Sequence, residues 1–173
     1  MAVPQGLTHE HHRDLEGRGS GPIVRRVLVA LLAGILVLGL LNLFGQRVDA
    51  STAESSGARL EVSAPTKVRG GIFFQALFRI QAVEEIQNAA LVLDSDWLED
   101  ITLNTVAPSP VGEASRDGRI ALELGRIPAG DEHRLYLQFQ VNPTALGRRS
   151  QDVDLYDGDE LLLSLDRDAI VWP

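Results

Sequence analysis

Five carboxylates, Asp152, Asp154, Asp157, Asp159 and Glu160, fall within nine residues of this chain. Calcium gathers several oxygen ligands at about 2.3–2.6 Å, which makes Asp152, Asp154, Asp157 and Asp159 candidate calcium ligands. Their order is not that of an EF-hand loop. With Asp152 at the first position, Tyr156 falls fifth and Asp157 sixth, where that loop requires glycine. The alternation of Asp152 and Asp154 with Val153 and Leu155 reads instead as a strand whose carboxylates keep one face solvated. Asp94, Asp96, Glu99 and Asp100 form a second acidic group. Glycosidase carboxylates face each other across a cleft at a set separation, and clustering along the chain reads rather as an acidic loop.

Other chemistry is sparse. A Ser-His-Asp hydrolase needs a histidine to take the serine proton, and His133 is the sole histidine after residue 12. It stands beside Asp131 and Glu132 at the start of an alternating run, and no G-x-S-x-G elbow exists. Neither a G-x-x-x-x-G-K-[ST] phosphate loop nor a G-x-G-x-x-G fingerprint is present, and Gly70-Gly71 reads as a turn or bulge opening a strand. His9, His11 and His12 form HEHH, whose imidazoles suit a transition metal, but a closed site needs about four ligands and supporting partners that a polar tail does not supply. The absence of cysteine removes disulfides, thiolate metal sites and cysteine nucleophiles. A net charge of −8 leaves no broad basic footprint for nucleic acid. The sequence therefore directs expectation to a non-enzymatic protein with no cofactor. The rival reading is a metal-dependent cell-envelope hydrolase with a dispersed acidic site that includes Asp154 or Asp157.

The element that positions everything else is the eighteen-residue run VLVALLAGILVLGLLNLF, beginning at Val27 and ending at Phe44. It carries no charge, and at ~1.5 Å per residue it covers ~27 Å of a bilayer core ~30 Å thick. A single transmembrane helix follows, with the lipid bilayer as its partner. Ala30 and Gly34, four residues apart, have the spacing of a helix-packing pair and are read as ordinary lipid-facing residues. Arg13, Arg18, Arg25 and Arg26 precede the run and Arg47 alone follows closely, which places the N-terminus in the cytoplasm and the remainder outside the plasma membrane. The competing reading is a signal peptide cut after Ala50, releasing a secreted binding domain. The run is longer than the ~7–15 apolar residues of such a peptide.

Beyond the run, residues 46–57 (QRVDASTAESSG) have the small, polar composition of a flexible stalk. From there period-two alternation recurs. In HRLYLQFQV, Leu135, Leu137, Phe139 and Val141 share one face, and Tyr136, Gln138 and Gln140 share the other. Similar runs surround Val62, Phe78, Leu122, Val153 and Leu163, separated by Asp117-Gly118, Pro128-Ala129-Gly130, Asn142-Pro143 and Asp157-Gly158 turns. Seven to eight short strands without a long helical pattern predict an all-β domain, an immunoglobulin-like antiparallel β-sandwich with Trp97, near the end of a middle strand, as its core plug. The organisation expected is a disordered cytoplasmic tail (1–22), a transmembrane helix (23–45), a stalk (46–57) and an extracytoplasmic β-sandwich (58–173). Tyr136, Gln138 and Gln140 are the candidate binding residues, since an outward sheet face can serve as a contact surface.

Val68-Arg69-Gly70-Gly71 leading into an FFQ strand, Pro128-Ala129-Gly130 leading through Leu135 to Asn142-Pro143-Thr144, and the stretch from Asp152 to Gly158 resemble a family of single-pass membrane proteins of high-GC Gram-positive bacteria. Fifteen Arg against the single Lys67 fits a high-GC genome. The resemblance implies an envelope accessory protein found near YetF-like multi-pass membrane proteins. A multi-pass partner is thereby implied, and no catalytic residue is carried over.

Overall fold

The computed structural model describes residues 21–41 and 46–173. The HEHH histidines, most of the expected tail and the end of the apolar run at residues 42–44 lie outside the described residues. The chain divides into two units, Met1–Phe44 and Gly45–Pro173.

In the first unit, α1 spans Gly21–Leu40, 20 residues with a mean hydropathy of 2.4 in its most apolar window. It starts two residues before the expected boundary because Pro22 fits the first helical turn, where its missing N–H costs no hydrogen bond. At ~1.5 Å per residue it is ~30 Å long. The helix is long and apolar enough to cross a membrane, a property that a signal sequence shares.

The second unit is all β. Its strands are β1 (Val48–Glu54), β2 (Ala58–Pro65), β3 (Lys67–Arg69), β4 (Phe73–Ala82), β5 (Ile86–Leu93), β6 (Ile101–Ala107), β7 (Gly112–Arg116), β8 (Arg119–Ile127), β9 (Glu132–Val141), β10 (Gly147–Ser150), β11 (Val153–Asp157), β12 (Glu160–Leu165) and β13 (Asp168–Trp172). One antiparallel sheet runs β1-β2-β4-β9-β6 and the other β12-β11-β5-β8-β7. Taking β2, β4, β5, β6, β9, β11 and β12 as strands A to G gives A-B-E-D in the first sheet and G-F-C in the second. This is the immunoglobulin order. To it the chain adds β1 beside strand A and the β7–β8 hairpin beside strand C. A third, small sheet, β10-β13-β3, contains a parallel pair between β13 and β3.

The count of thirteen strands exceeds the expected seven to eight, and the surplus has a common cause. β1 (VDASTAE) and β7 (GEASR) are edge strands with few large apolar residues, held by backbone pairing to one neighbour, while β3 and β10 are only three and four residues long. None of them needs the alternation that marks a half-buried strand. For β1 the correction is substantive. The expected stalk is largely a strand, paired residue by residue from Val48↔Pro65 to Glu54↔Arg59.

The core lies between the two large sheets. Phe74, Phe78 and Ile80 of β4 and Leu135, Leu137 and Phe139 of β9 meet Leu91 and Leu93 of β5, Leu122 of β8 and Leu155 of β11, all buried. Trp97 is fully buried, with ring centroids 5.3 Å from Phe139 and 5.6 Å from Phe78. Its Nε1 donates to the Asp152 carbonyl at 3.2 Å, which satisfies the one polar group of a buried indole. Trp97 plugs the core as expected, but from a 3-10 turn, Ser95–Trp97, after β5 rather than from the strand itself.

Turn chemistry closes the ends. Asp117 and Gly118 have φ of 53° and 78° between β7 and β8, as a type I′ hairpin requires. At Asp157-Gly158 the loop sits one residue later: Asp157 pairs with Glu160, so Gly158 (φ 57°) and Asp159 make the turn.

Candidate functional site

Strict alternation in β4 and β9 buries one set of side chains and presents the other on the outer face of the first sheet. Register brings three rows together there: Phe73, Gln140 and Thr102; Gln75, Gln138 and Thr105; Leu77, Tyr136 and Ala107. Tyr136, Gln138 and Gln140 thus stand on one face, as the sequence predicts. Residues from β4 and β6 join them, which a reading of β9 alone missed. The signal for Phe73 and Gln75 was available in FFQALFRIQ, where they alternate with Phe74 and Ala76.

This half of the face carries no charge. The side-chain amides of Gln75, Gln138 and Gln140 make no hydrogen bond among the described residues, so their donors and acceptors are left for water or a ligand. The next rows change character. Arg79 is bound to Glu61 at 2.8 Å, and Arg134 is held by Glu132, which raises its pKa above the ordinary value. An aromatic ring and convergent amides on a firm sheet can stack against and hydrogen-bond a neutral polar surface.

The acidic candidates are distributed, not gathered. Asp152 Oδ1 accepts from the Arg167 backbone N–H at 2.8 Å, and Asp157 accepts from the backbone of Asn88 at 2.7 Å and Gln87 at 3.1 Å. Asp159 pairs with Arg116 at 2.9 Å. Asp154 departs most from expectation. It is not a solvated carboxylate but is 9% exposed, accepting from Arg119 at 2.7 Å and Ser164 at 2.6 Å. The Asp154 hydrogen bond raises the Arg119 pKa further above its ordinary value, against the desolvation that opposes it. Among the described residues no three His, Asp or Glu side chains are grouped as a metal site needs.

The second acidic group is equally occupied with structure. Asp94 Oδ1 caps the 3-10 turn by accepting from the Asp96 N–H at 3.1 Å, and Asp96 Oδ2 accepts from the Ser150 N–H at 3.0 Å. Glu99 and Asp100 lie 3.9 and 3.3 Å from Arg149. His133, near the start of β9, is half-buried opposite Ile80, and burial lowers its pKa.

Two depressions accompany these features. One of about 490 Å³ lies between β6 and the Ser109–Pro110 turn, and one of about 410 Å³ lies over Ala90, Ala121 and Ala114 on the second sheet, rimmed by Arg116 and Glu123. Arg116 stacks 4.1 Å over the Tyr156 ring while it binds Asp159, so its guanidinium is already engaged.

The second unit is an immunoglobulin-like β-sandwich, and the chain joins it to one apolar N-terminal helix. No family model matches the sequence, and no curated protein matches it. Among solved structures it is similar to the CARDB domain of a Pyrococcus furiosus protein crystallised with di-metal ions, at 13% identity and a TM-score of 0.38, over 69% of this chain and 97% of that one. It is also similar to the C-terminal domain of Wzt, at 11% identity and a TM-score of 0.41, over 75% of this chain and 81% of that one. The fold assignment rests on the strand order itself.

Proposed function

We propose that this is a non-enzymatic, single-pass protein of the plasma membrane whose sandwich lies outside and binds another component of the envelope, such as a multi-pass membrane neighbour. The observation that carries the binding role is the uncharged patch around Tyr136, Gln138 and Gln140, on a domain that from residue 51 onward holds 11 Lys or Arg against 20 Asp or Glu. A patch free of charge can be covered without desolvating ions. The orientation is supported by Arg25 and Arg26 near the start of α1.

Retention of the helix is supported by β1. Cleavage after Ala50 would remove Val48, Asp49 and Ala50, three of the seven β1 residues paired with β2. It would also remove the carboxylate that accepts from Thr66 Oγ1 at 2.5 Å. A retained helix leaves all seven β1 pairs in place.

A photocrosslinker placed at Gln138 in living cells tests the binding face against the same probe at Glu160 on the other sheet. The reading expects one discrete adduct from position 138 and none from 160. Equal labelling from both positions, or none from either, contradicts it.

A further inference from the structure

The small third sheet has an outer face unlike the rest of the domain. Its register sets Arg148, Ile170 and Lys67 in one row and Trp172 beside Arg69 in the next. Val68, Ala169 and Val171 point inward and are buried, so this row set points out. Trp172 is 53% exposed and Leu146, just before β10, is 54% exposed. Lys67 has no ion-pair partner among the described residues, Arg69 Nε donates to the Pro173 carbonyl at 3.1 Å, and Arg148 pairs with Asp168 at 2.5 Å. Lys67, Arg69, Arg148 and Asp168, interleaved with Trp172, Ile170 and Leu146, thus occupy one face of a strongly acidic domain.

The same end of the sandwich receives the chain from its N-terminal side. β1 begins at Val48, which is exposed and paired with Pro65, two residues before Lys67. Thr66 ties this corner together, donating through Oγ1 to Asp49 while its carbonyl accepts from the Ile170 N–H at 2.8 Å. Gly70 continues it, donating to the Trp172 carbonyl at 2.8 Å, and a Cβ at Gly70 would meet the Pro143 carbonyl at 2.9 Å. Seven residues separate Leu40 from Val48 in the sequence, a reach of at most about 25 Å.

We propose that this face rests on the anionic headgroup layer of the membrane that α1 spans, with Trp172 at the interface and Lys67 and Arg69 on lipid phosphates. Tryptophan settles at the boundary between headgroups and acyl chains, and Lys and Arg are drawn to anionic lipid. So few intervening residues keep one such surface at high local concentration, so a few weak contacts suffice. The proposal rests on the reading of α1 as a retained anchor.

The test uses the full chain reconstituted in phosphatidylcholine vesicles containing phosphatidylglycerol, with lipids brominated near the headgroup. The protein has only two tryptophans, and Trp97 is buried in the core, so bromine quenching reports Trp172. Quenching is expected in the parent, absent in Trp172→Phe, and weakened more than about twofold by Lys67→Glu with Arg69→Glu or by high salt. Trp172 that answers to aqueous acrylamide but not to brominated lipid, in a chain that resists alkaline extraction, overturns the proposal and leaves the anchor standing. Protection from both quenchers overturns it in favour of a second copy of the chain covering the face. Release of the chain by alkaline carbonate removes the anchor reading and the proposal with it.

Discussion

Asp154 and Asp159 lie five residues apart in the same acidic run and do opposite things. Asp154 is packed under Arg119 and Ser164, and its loss leaves a guanidinium and a hydroxyl without their acceptor. Asp159 is fully exposed, and its pair with Arg116 is open to solvent and screened. Asp154→Ala should therefore cost about 1–3 kcal/mol, lowering the Tm by several degrees, while Asp159→Ala should leave the melt close to the parent. A calcium site built from these residues would weaken in both variants, and the parent melt would rise when calcium replaces a chelator. A melt indifferent to calcium with only the Asp154 variant destabilised is the expected result. The sequence showed which residues were acidic and that they alternated with Val153 and Leu155. It could not show Arg119, which comes from a strand two places away in the sheet, and so a buried ion pair was read as a solvated face.

At the scale of the element, legibility followed burial. β4 and β9 are central strands with apolar residues at every second position through most of their length, β11 carries the shorter pair Val153 and Leu155, and the pattern announced them. β1 announced nothing, because VDASTAE buries little and gains its place from backbone hydrogen bonds to β2. The Asp117-Gly118 hairpin was legible because the type I′ turn constrains both residue types. The candidate face was half legible for the same reason: β9 showed Tyr136, Gln138 and Gln140, but the partners Phe73, Gln75, Thr102 and Thr105 depend on register, which no single strand encodes. Hydrogen exchange on the full chain separates strand from stalk at residues 48–54. Paired amides of β1 should be protected well beyond the Ser55–Gly57 turn, and exchange as fast as a free chain would restore the stalk. Shortening the chain to begin at Ser51 should lower stability, since three pairs and the Asp49–Thr66 hydrogen bond are lost together.

For the whole molecule, the order of strands matters more than their number. Seven of thirteen reproduce the A-B-E-D and G-F-C sheets; β1 and the β7–β8 hairpin extend their edges, where a fold can grow without disturbing its core, and β3, β10 and β13 form the small third sheet. The apolar helix and the sandwich were both legible, because a long charge-free run and repeated alternation are strong patterns. What the sandwich meets was not, because this fold fixes where contact surfaces lie and not what they contact. Everything proposed here depends on a retained helix that holds the sandwich at the membrane. The most direct measurement is the intact mass of the C-terminally tagged chain, recovered after alkaline carbonate treatment of membranes and, separately, from the medium. A retained anchor predicts a chain still carrying residues 21–40 in the carbonate-resistant pellet. A soluble chain beginning at Ser51 in the medium would contradict it.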